Sequence, residues 1–280
     1  MKNKFIHTII AAAMLTFALA SCDKKLDIVP QNGYAPVDNY ATADGYKTVL
    51  AKIYATLAIS GNQGPAGQPD IGGSLDEGSQ ISFIRMYFNC QELPTDEAIV
   101  SWNDETIHDF HDLKWTSSDK FLKGIYARPI YNITLINEYL REATDAKLAE
   151  RGITGADATD IKNSIGEARF MRAFNYWVMM DLFGKSTFIT EADEISFFNP
   201  KEIKRDSLFL YVESELKASE SLLAPARSAI YGRVDQGAAW ALLARMYLNA
   251  GVYTGTERYT DALTYAKKVI DARYTLQPNY

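Results

Sequence analysis

An all-α protein made of repeated helix pairs with long irregular loops is what this chain predicts, and three observations carry the prediction. Apolar residues recur at steps of three and four over most of its length, the spacing that lines up one face of a helix. The stretch Glu167–Gly184 returns in altered form further on, with Ala168, Ala173 and Tyr176 falling on Ala239, Ala244 and Tyr247 at a constant offset of 71 residues. No segment shows the period-two alternation of a half-buried strand.

The first predicted helix follows Asp38 and Thr42, whose side-chain oxygens can cap it. Tyr46, Val49, Leu50, Ile53, Tyr54 and Leu57 mark its buried face. Gly61–Gly78 predicts a loop, because Gly61, Gly64, Gly67, Gly72, Gly73 and Gly78 with Pro65 and Pro69 cannot sustain a helix or a central strand. Ser79–Trp115 mixes apolar residues with acids and amides at weak periodicity, which predicts irregular structure or short helices lying over the body. A helical region opens at Ser118 and Asp119, runs through Leu122, Ile125, Ile133, Ile136, Tyr139, Leu140 and Ala143, and ends at Gly152. Within it Pro129 either kinks one helix or separates two, since proline lacks a backbone donor and clashes with the preceding turn. The helix Glu167–Gly184 is predicted to be buried through Ala168, Phe170, Met171, Phe174, Trp177, Val178 and Leu182. A connector rich in acids and aromatics, Lys185–Pro200, leads to a helix expected over Ile203–Leu223. Asp235 caps the second copy of the repeat, and a last helix carries Ala262, Leu263, Ala266, Val269 and Ile270 as its apolar stripe.

With 280 residues, 47% hydrophobic and 23% charged, the chain has the makeup of a core-forming globular protein. Its start differs from the rest. Lys2 and Lys4 precede an apolar run from Phe5 to Ala20, closed by small residues before Cys22, which reads as a secretory signal over residues 1–21 and not as a membrane span. Leu19-Ala20-Ser21-Cys22 resembles the bacterial lipoprotein box, so Cys22 is expected to be acylated with palmitate-type chains and to become the mature N-terminus. Each buried CH₂ contributes about 0.8 kcal/mol, so two or three chains hold a folded domain to a membrane that no helix crosses. Residues 22–36 read as a flexible tether and 37–280 as the folded body. Cys90 is the only other cysteine, so the mature chain has no intrachain disulfide. Without residues 1–21 it carries 27 basic against 35 acidic residues. That balance argues against nucleic acid and a polybasic membrane patch, and a neutral ligand suits it better.

A pyranose ring is such a ligand: it offers an apolar face of C–H groups and a rim of hydroxyls, so its site needs an exposed aromatic ring and planar polar groups. Trp102, beside Asn103, Asp104 and Glu105, supplies the ring and acceptors, and Arg85 supplies a forked donor. The competing readings are a tryptophan that pins the loop to the helices and an Arg85 salt bridge with Glu77 or Asp76. His108 and His111 near Asp104, Glu105, Asp109 and Asp112 match no zincin spacing and read as a solvated turn, and Asp70, Asp76 and Glu77 lack the alternating acids of a calcium loop. No metal or cofactor is expected. Nothing marks a catalytic carboxylate pair, and there is no G-x-S-x-G or phosphate loop, so the chain reads as a binding protein and not an enzyme.

Ala-x-x-x-Ala-x-x-Tyr followed by Gly251 and Tyr259-x-x-Ala262 resembles the tetratricopeptide unit, and 71 residues is about two such units; helix pairs of this kind are expected over about 157–280. Together with the lipobox, Leu26-Asp27-Ile28-Val29-Pro30, EARFMRAFNYWVMMDLFG and GAAWALLARMYLNAGVY, this makes nearly the whole chain resemble the SusD/RagB family of outer-membrane nutrient-binding lipoproteins. GGSLDEGSQISFIRMYFNCQELPTDEAIVSWNDE, Gly72–Glu105, is most similar to the starch-binding member. The resemblance implies a cell-surface, lipid-anchored protein of polysaccharide utilization that captures starch or another oligosaccharide, without catalysis, over a SusC-type TonB-dependent porin. It implies a glycan-binding loop region over about 61–117, with Arg85 and Trp102 at sugar-contact positions, Glu77 where the family member has aspartate, and Asn103 and Glu105 beside them. It also implies that this chain ends inside the fold, with part of the family's aromatic platform lying beyond the equivalent of Tyr280. The alternative is a helical-repeat interaction module that docks a transporter without glycan specificity of its own.

Overall fold

The computed structural model describes residues 36–62, 69–71, 82–104, 106–195, 199–275 and 278. The chain divides into two units, Met1–Asn39 and Tyr40–Tyr280. Of the first, the described part is a single helical turn, α1 (Pro36–Asn39).

Among its described residues, the regular structure of the second unit is helical apart from one small antiparallel strand pair. Its elements are α2 (Ala43–Ala58), α3 (Phe83–Glu92), α4 (Ile107–His111), α5 (Lys120–Glu142), α6 (Asp145–Glu150), α7 (Gly155–Phe183), β1 (Ser186–Phe188), β2 (Lys201–Ile203), α8 (Arg205–Glu220), α9 (Gln236–Leu248), α10 (Ala250–Thr254) and α11 (Tyr259–Asp271). Thr42 caps α2 by accepting from the Gly45 amide at 3.2 Å, and Asp235 caps α9 through Ala238. The inward face of α2 is the expected one, with Tyr46, Leu50 and Ile53 buried and Val49, Tyr54 and Leu57 packed at its edge.

Helix α7 is the axis of the unit, packing against α2, α5 and α8. It begins at Gly155, three turns before the expected Glu167, and beyond Gly166 it is buried nearly all round: Ala168, Phe170, Met171, Ala173, Tyr176, Trp177, Val178, Met179 and Met180 are all in the interior. A helix buried on nearly every side belongs in the centre of a layered helical body. Gly166 faces the 221–224 turn so closely that a Cβ there would lie 2.7 Å from Leu222 Cβ. The repeat is legible in the packing, since Ala239 and Tyr247 of α9 are buried as Ala168 and Tyr176 are, and α9 pairs with α11 through the buried Ala262.

Pro129 neither splits nor ends α5, which runs unbroken from Lys120 to Glu142. The contacts on either side hold it. Arg128, wholly buried, donates to Ser60 O at 2.9 Å and pairs with Asp70 at 3.3 Å, while Asn132 donates to Ile53 O at 3.3 Å. These tertiary bonds offset the backbone bond that proline removes.

Three expectations need correction. Ser186–Phe188 and Lys201–Ile203 form an antiparallel pair, Ser186 opposite Ile203, where no strand was expected. Strands of three residues are too short to show alternation, and this pair is fixed by Phe188, whose ring lies 5.5 Å from Tyr176 and 4.8 Å from Tyr211. Consequently α8 starts at Arg205 and not at Ile203. On α11, Ala262 is buried and Ala266 and Val269 are half-buried, but Leu263 and Ile270 are exposed at 70% and 74%, because no described element covers that side.

Buried polar groups join the layers. Glu215 of α8 accepts from Arg172 of α7 at 2.7 Å and from Arg169 at 2.6 Å, and Arg172 also donates to Asn137 of α5 at 2.8 Å and to Glu191. Glu167 accepts from Tyr54 of α2 at 2.6 Å and pairs with Arg233, and the Tyr54 hydroxyl receives the Val234 amide at 3.1 Å. Among the described residues no helix is long and apolar enough to cross a membrane.

Candidate functional site

Helix α3 exists because Phe83, Met86 and Asn89 are spaced to bury one side, and that packing against α5 turns Arg85 toward the loop before α4. The Arg85 guanidinium donates through Nη2 to Asp104 Oδ2. Its plane also lies over two rings, with Cζ 5.1 Å from the centroid of Trp102 and 5.6 Å from that of Phe121. Phe121 is buried in the first turn of α5 and meets Phe110 of α4 edge to face at 6.2 Å. Arg85 is thus clasped between a buried ring and an exposed one.

Trp102 is 63% exposed. An indole carries about 150–250 Å² of surface, so leaving that fraction in water forgoes roughly 2–4 kcal/mol of burial at about 25 cal/mol per Å². The cation–π contact returns about 0.5–1 kcal/mol at an exposed position, enough to orient the ring without covering it. Beside it, Asn103 Oδ1 lies 3.4 Å from His108 Nε2. The ring is not sealed inside the body, while its contact with Arg85 of α3 also ties the loop to that helix.

The structure therefore brings Arg85, Trp102 and Asn103 to one corner. Glu77, Glu105 and Cys22, the other anticipated site residues, lie outside the described residues, as does Asp76 and most of the glycine-rich loop. The ion-pair partner of Arg85 among the described residues is Asp104, nineteen positions away, and no periodicity could have joined the two. Phe110 and Phe121, which carry the corner from beneath, also had no signal in the sequence beyond being apolar.

The acids and histidines of this region do not gather: among the described residues no three His, Cys, Asp or Glu side chains stand where they could hold a metal ion. Asp70 is engaged by Lys52 at 2.7 Å and by Arg128. A cleft of about 1090 Å³ lies elsewhere, between α2, α7 and the 221–234 segment. Its walls include Tyr54, Glu167 and Arg233, which already bond one another, and Tyr139, bonded to Ser164.

These features define a class, a scaffold of stacked helix pairs that presents an aromatic and charged rim. Comparison with known proteins gives the particular family. The chain belongs to the SusD-like family described as "Starch-binding associating with outer membrane", whose pattern matches residues 75–248. Over its whole length it is 37% identical to the starch-binding protein SusD of Bacteroides thetaiotaomicron, covering 48% of that protein. It also overlays surface glycan-binding protein A from Bacteroides uniformis with a TM-score of 0.61 at 21% identity, and a laminarin-binding SusD-like protein with a TM-score of 0.55 at 17% identity. The overlays cover 85% and 81% of this chain and 48% and 43% of those chains, and they show the fold alone. The chain spans about half the length of these relatives.

Proposed function

We propose that this chain captures an oligosaccharide, an α-glucan, by stacking a sugar face on Trp102 and bridging its hydroxyls with Arg85 and Asn103, and hands it intact to a SusC-type TonB-dependent transporter. The observation that carries the reading is the exposed indole of Trp102 held over the Arg85 guanidinium, 5.1 Å away. Exposed, oriented aromatic surface next to a planar donor is what a pyranose ring needs, and a neutral sugar suits a chain with an excess of acids. Glu77 and Glu105 are proposed to complete the polar rim, and an acylated Cys22 to hold the protein on the outer membrane, facing the cell exterior. The name of the 37% identical relative supports starch as the glycan class, and the family description supports the membrane.

Binding without cleavage is supported by the family description and by the name of the 37% identical relative, both of which give starch binding. Asp104, the described acid of the corner, is paired with Arg85. Isothermal titration of the whole chain in detergent with maltoheptaose tests the proposal. Heat is expected, and Trp102→Ala is expected to abolish most of it while leaving transporter pull-down intact. Absence of heat with every α-glucan removes the substrate assignment.

A further inference from the structure

Of the four tryptophans, Trp177 is buried and Trp240 is bonded to Glu220 at 2.7 Å beneath Lys268. The other two are exposed, Trp102 at 63% and Trp115 at 44%. They rest on the same foundation. Trp115 stacks on Phe110 at 6.2 Å with 30° between the rings, Phe110 meets Phe121 at 6.2 Å, and Phe121 underlies Arg85, over which Trp102 lies. Phe110 and Phe121 are each only 1% exposed, so a buried aromatic pair links the supports of the two surface indoles, Phe110 against Trp115 and Phe121 against the Arg85 that meets Trp102. Polar groups accompany each indole in the chain: Asn103, next to Trp102, lies 3.4 Å from His108 Nε2, and Thr116, next to Trp115, has its hydroxyl 2.7 Å from that of Ser118.

We infer that Trp115 is a second stacking subsite, so that the site takes a linear neutral oligosaccharide several sugar units long, laid from Trp102 across Arg85 to Trp115. The inference rests on the reading of Trp102 as a sugar platform. A tryptophan needed only to cover Phe110 has no use for an open face; one that is also a platform does, because stacking takes place on the side away from its support. The consequence is a preference for length. A short glycan meets one indole and a long one meets both, and the second contact is intramolecular once the first is made.

The test uses the whole chain in detergent with 5-fluorotryptophan in place of tryptophan, its four fluorine resonances assigned by single Trp→Phe substitutions. Titration with maltotriose is expected to move the Trp102 resonance alone, and maltoheptaose to move those of Trp102 and Trp115. In calorimetry Trp115→Ala should weaken maltoheptaose by about three- to tenfold, the range for one aromatic contact, and leave maltotriose unchanged. Trp115→Phe, which keeps a ring over Phe110, should retain most of the affinity. A Trp115 resonance that stays fixed at saturating maltoheptaose while Trp102 moves overturns the second subsite and leaves the first standing. If neither moves, the reading of Trp102 fails and takes the extension with it.

Discussion

Glu215 is the side chain whose loss should be felt most widely. Its carboxylate is 6% exposed and receives Arg172, itself 2% exposed, together with Arg169, so one acid ties α8 to two turns of α7. Truncation in Glu215→Ala leaves a buried guanidinium without its main partner, and removing one member of a buried pair costs about 3–5 kcal/mol. Glu191 and Asn137 still accept from Arg172, which places the expected loss near the lower end, about 3 kcal/mol. Arg169, at 31% exposure, adds little, because partly exposed pairs contribute about 0.2–1 kcal/mol. For a body of this size each kcal/mol moves Tm by about 2–4 °C, so a fall of roughly 10 °C is expected. Urea unfolding followed by far-ultraviolet circular dichroism measures the loss, with an unchanged m-value showing that the same surface is exposed. The double substitution Arg172→Met with Glu215→Leu should recover most of it, since an apolar pair needs no compensating charge. A single Glu215→Ala that costs less than about 1 kcal/mol would refute the argument that this clamp carries the α7–α8 interface.

Three further outcomes are expected. Burial, and then the negative charge of Asp119, push the Cys90 thiol up to about 12, so at pH 8 on the order of one molecule in ten thousand carries the thiolate; thiol labelling should be far slower in the native protein than in urea, and equal rates would contradict the burial. Burial acts to raise Glu213, but hydrogen bonds from Lys217, Tyr247 and Arg258 outweigh it and hold the carboxyl below its usual range. A depressed carboxylate stabilises above its unfolded value, and that contribution is lost as pH falls through the lower folded value, so Glu213→Gln should flatten the acid side of the stability curve and leave slope changes above pH 7 absent. Gly166→Ala should destabilise by about 1–2 kcal/mol despite alanine's better helix propensity, because its Cβ would overlap Leu222; a neutral or stabilised variant in thermal melts would show that the 221–224 turn yields.

The legibility of the molecule in its sequence varied with the range of the interaction. Faces such as Tyr46, Leu50 and Ile53 on α2 could be read because side chains three and four apart share a side of a helix whatever the rest of the fold does. Caps at Thr42 and Asp235 are local for the same reason. The continuity of α5 through Pro129 was not readable, since it depends on Arg128 and Asn132 reaching Ser60, Asp70 and Ile53, residues over fifty positions away. The β1–β2 pair escaped because its stability comes from Phe188 between Tyr176 and Tyr211 and not from its own pattern. At the site, residue chemistry nominated Arg85, Trp102 and Asn103, while the partner Asp104, the support of Phe121 and Phe110, and the kinship of Trp115 with Trp102 are contacts between separate segments.

What the amino-acid order alone determined is the helical class, the repeat of Ala168, Ala173 and Tyr176 at Ala239, Ala244 and Tyr247, and the residue types a sugar site requires. What tertiary structure decided is which of those residues meet water: the indole of Trp102 could have been a buried pin, and the stripe of α11 could have been wholly covered. Periodicity specifies which side of a helix is apolar, but exposure depends on what other segments come to lie against that side, and that is settled only when the whole chain has packed.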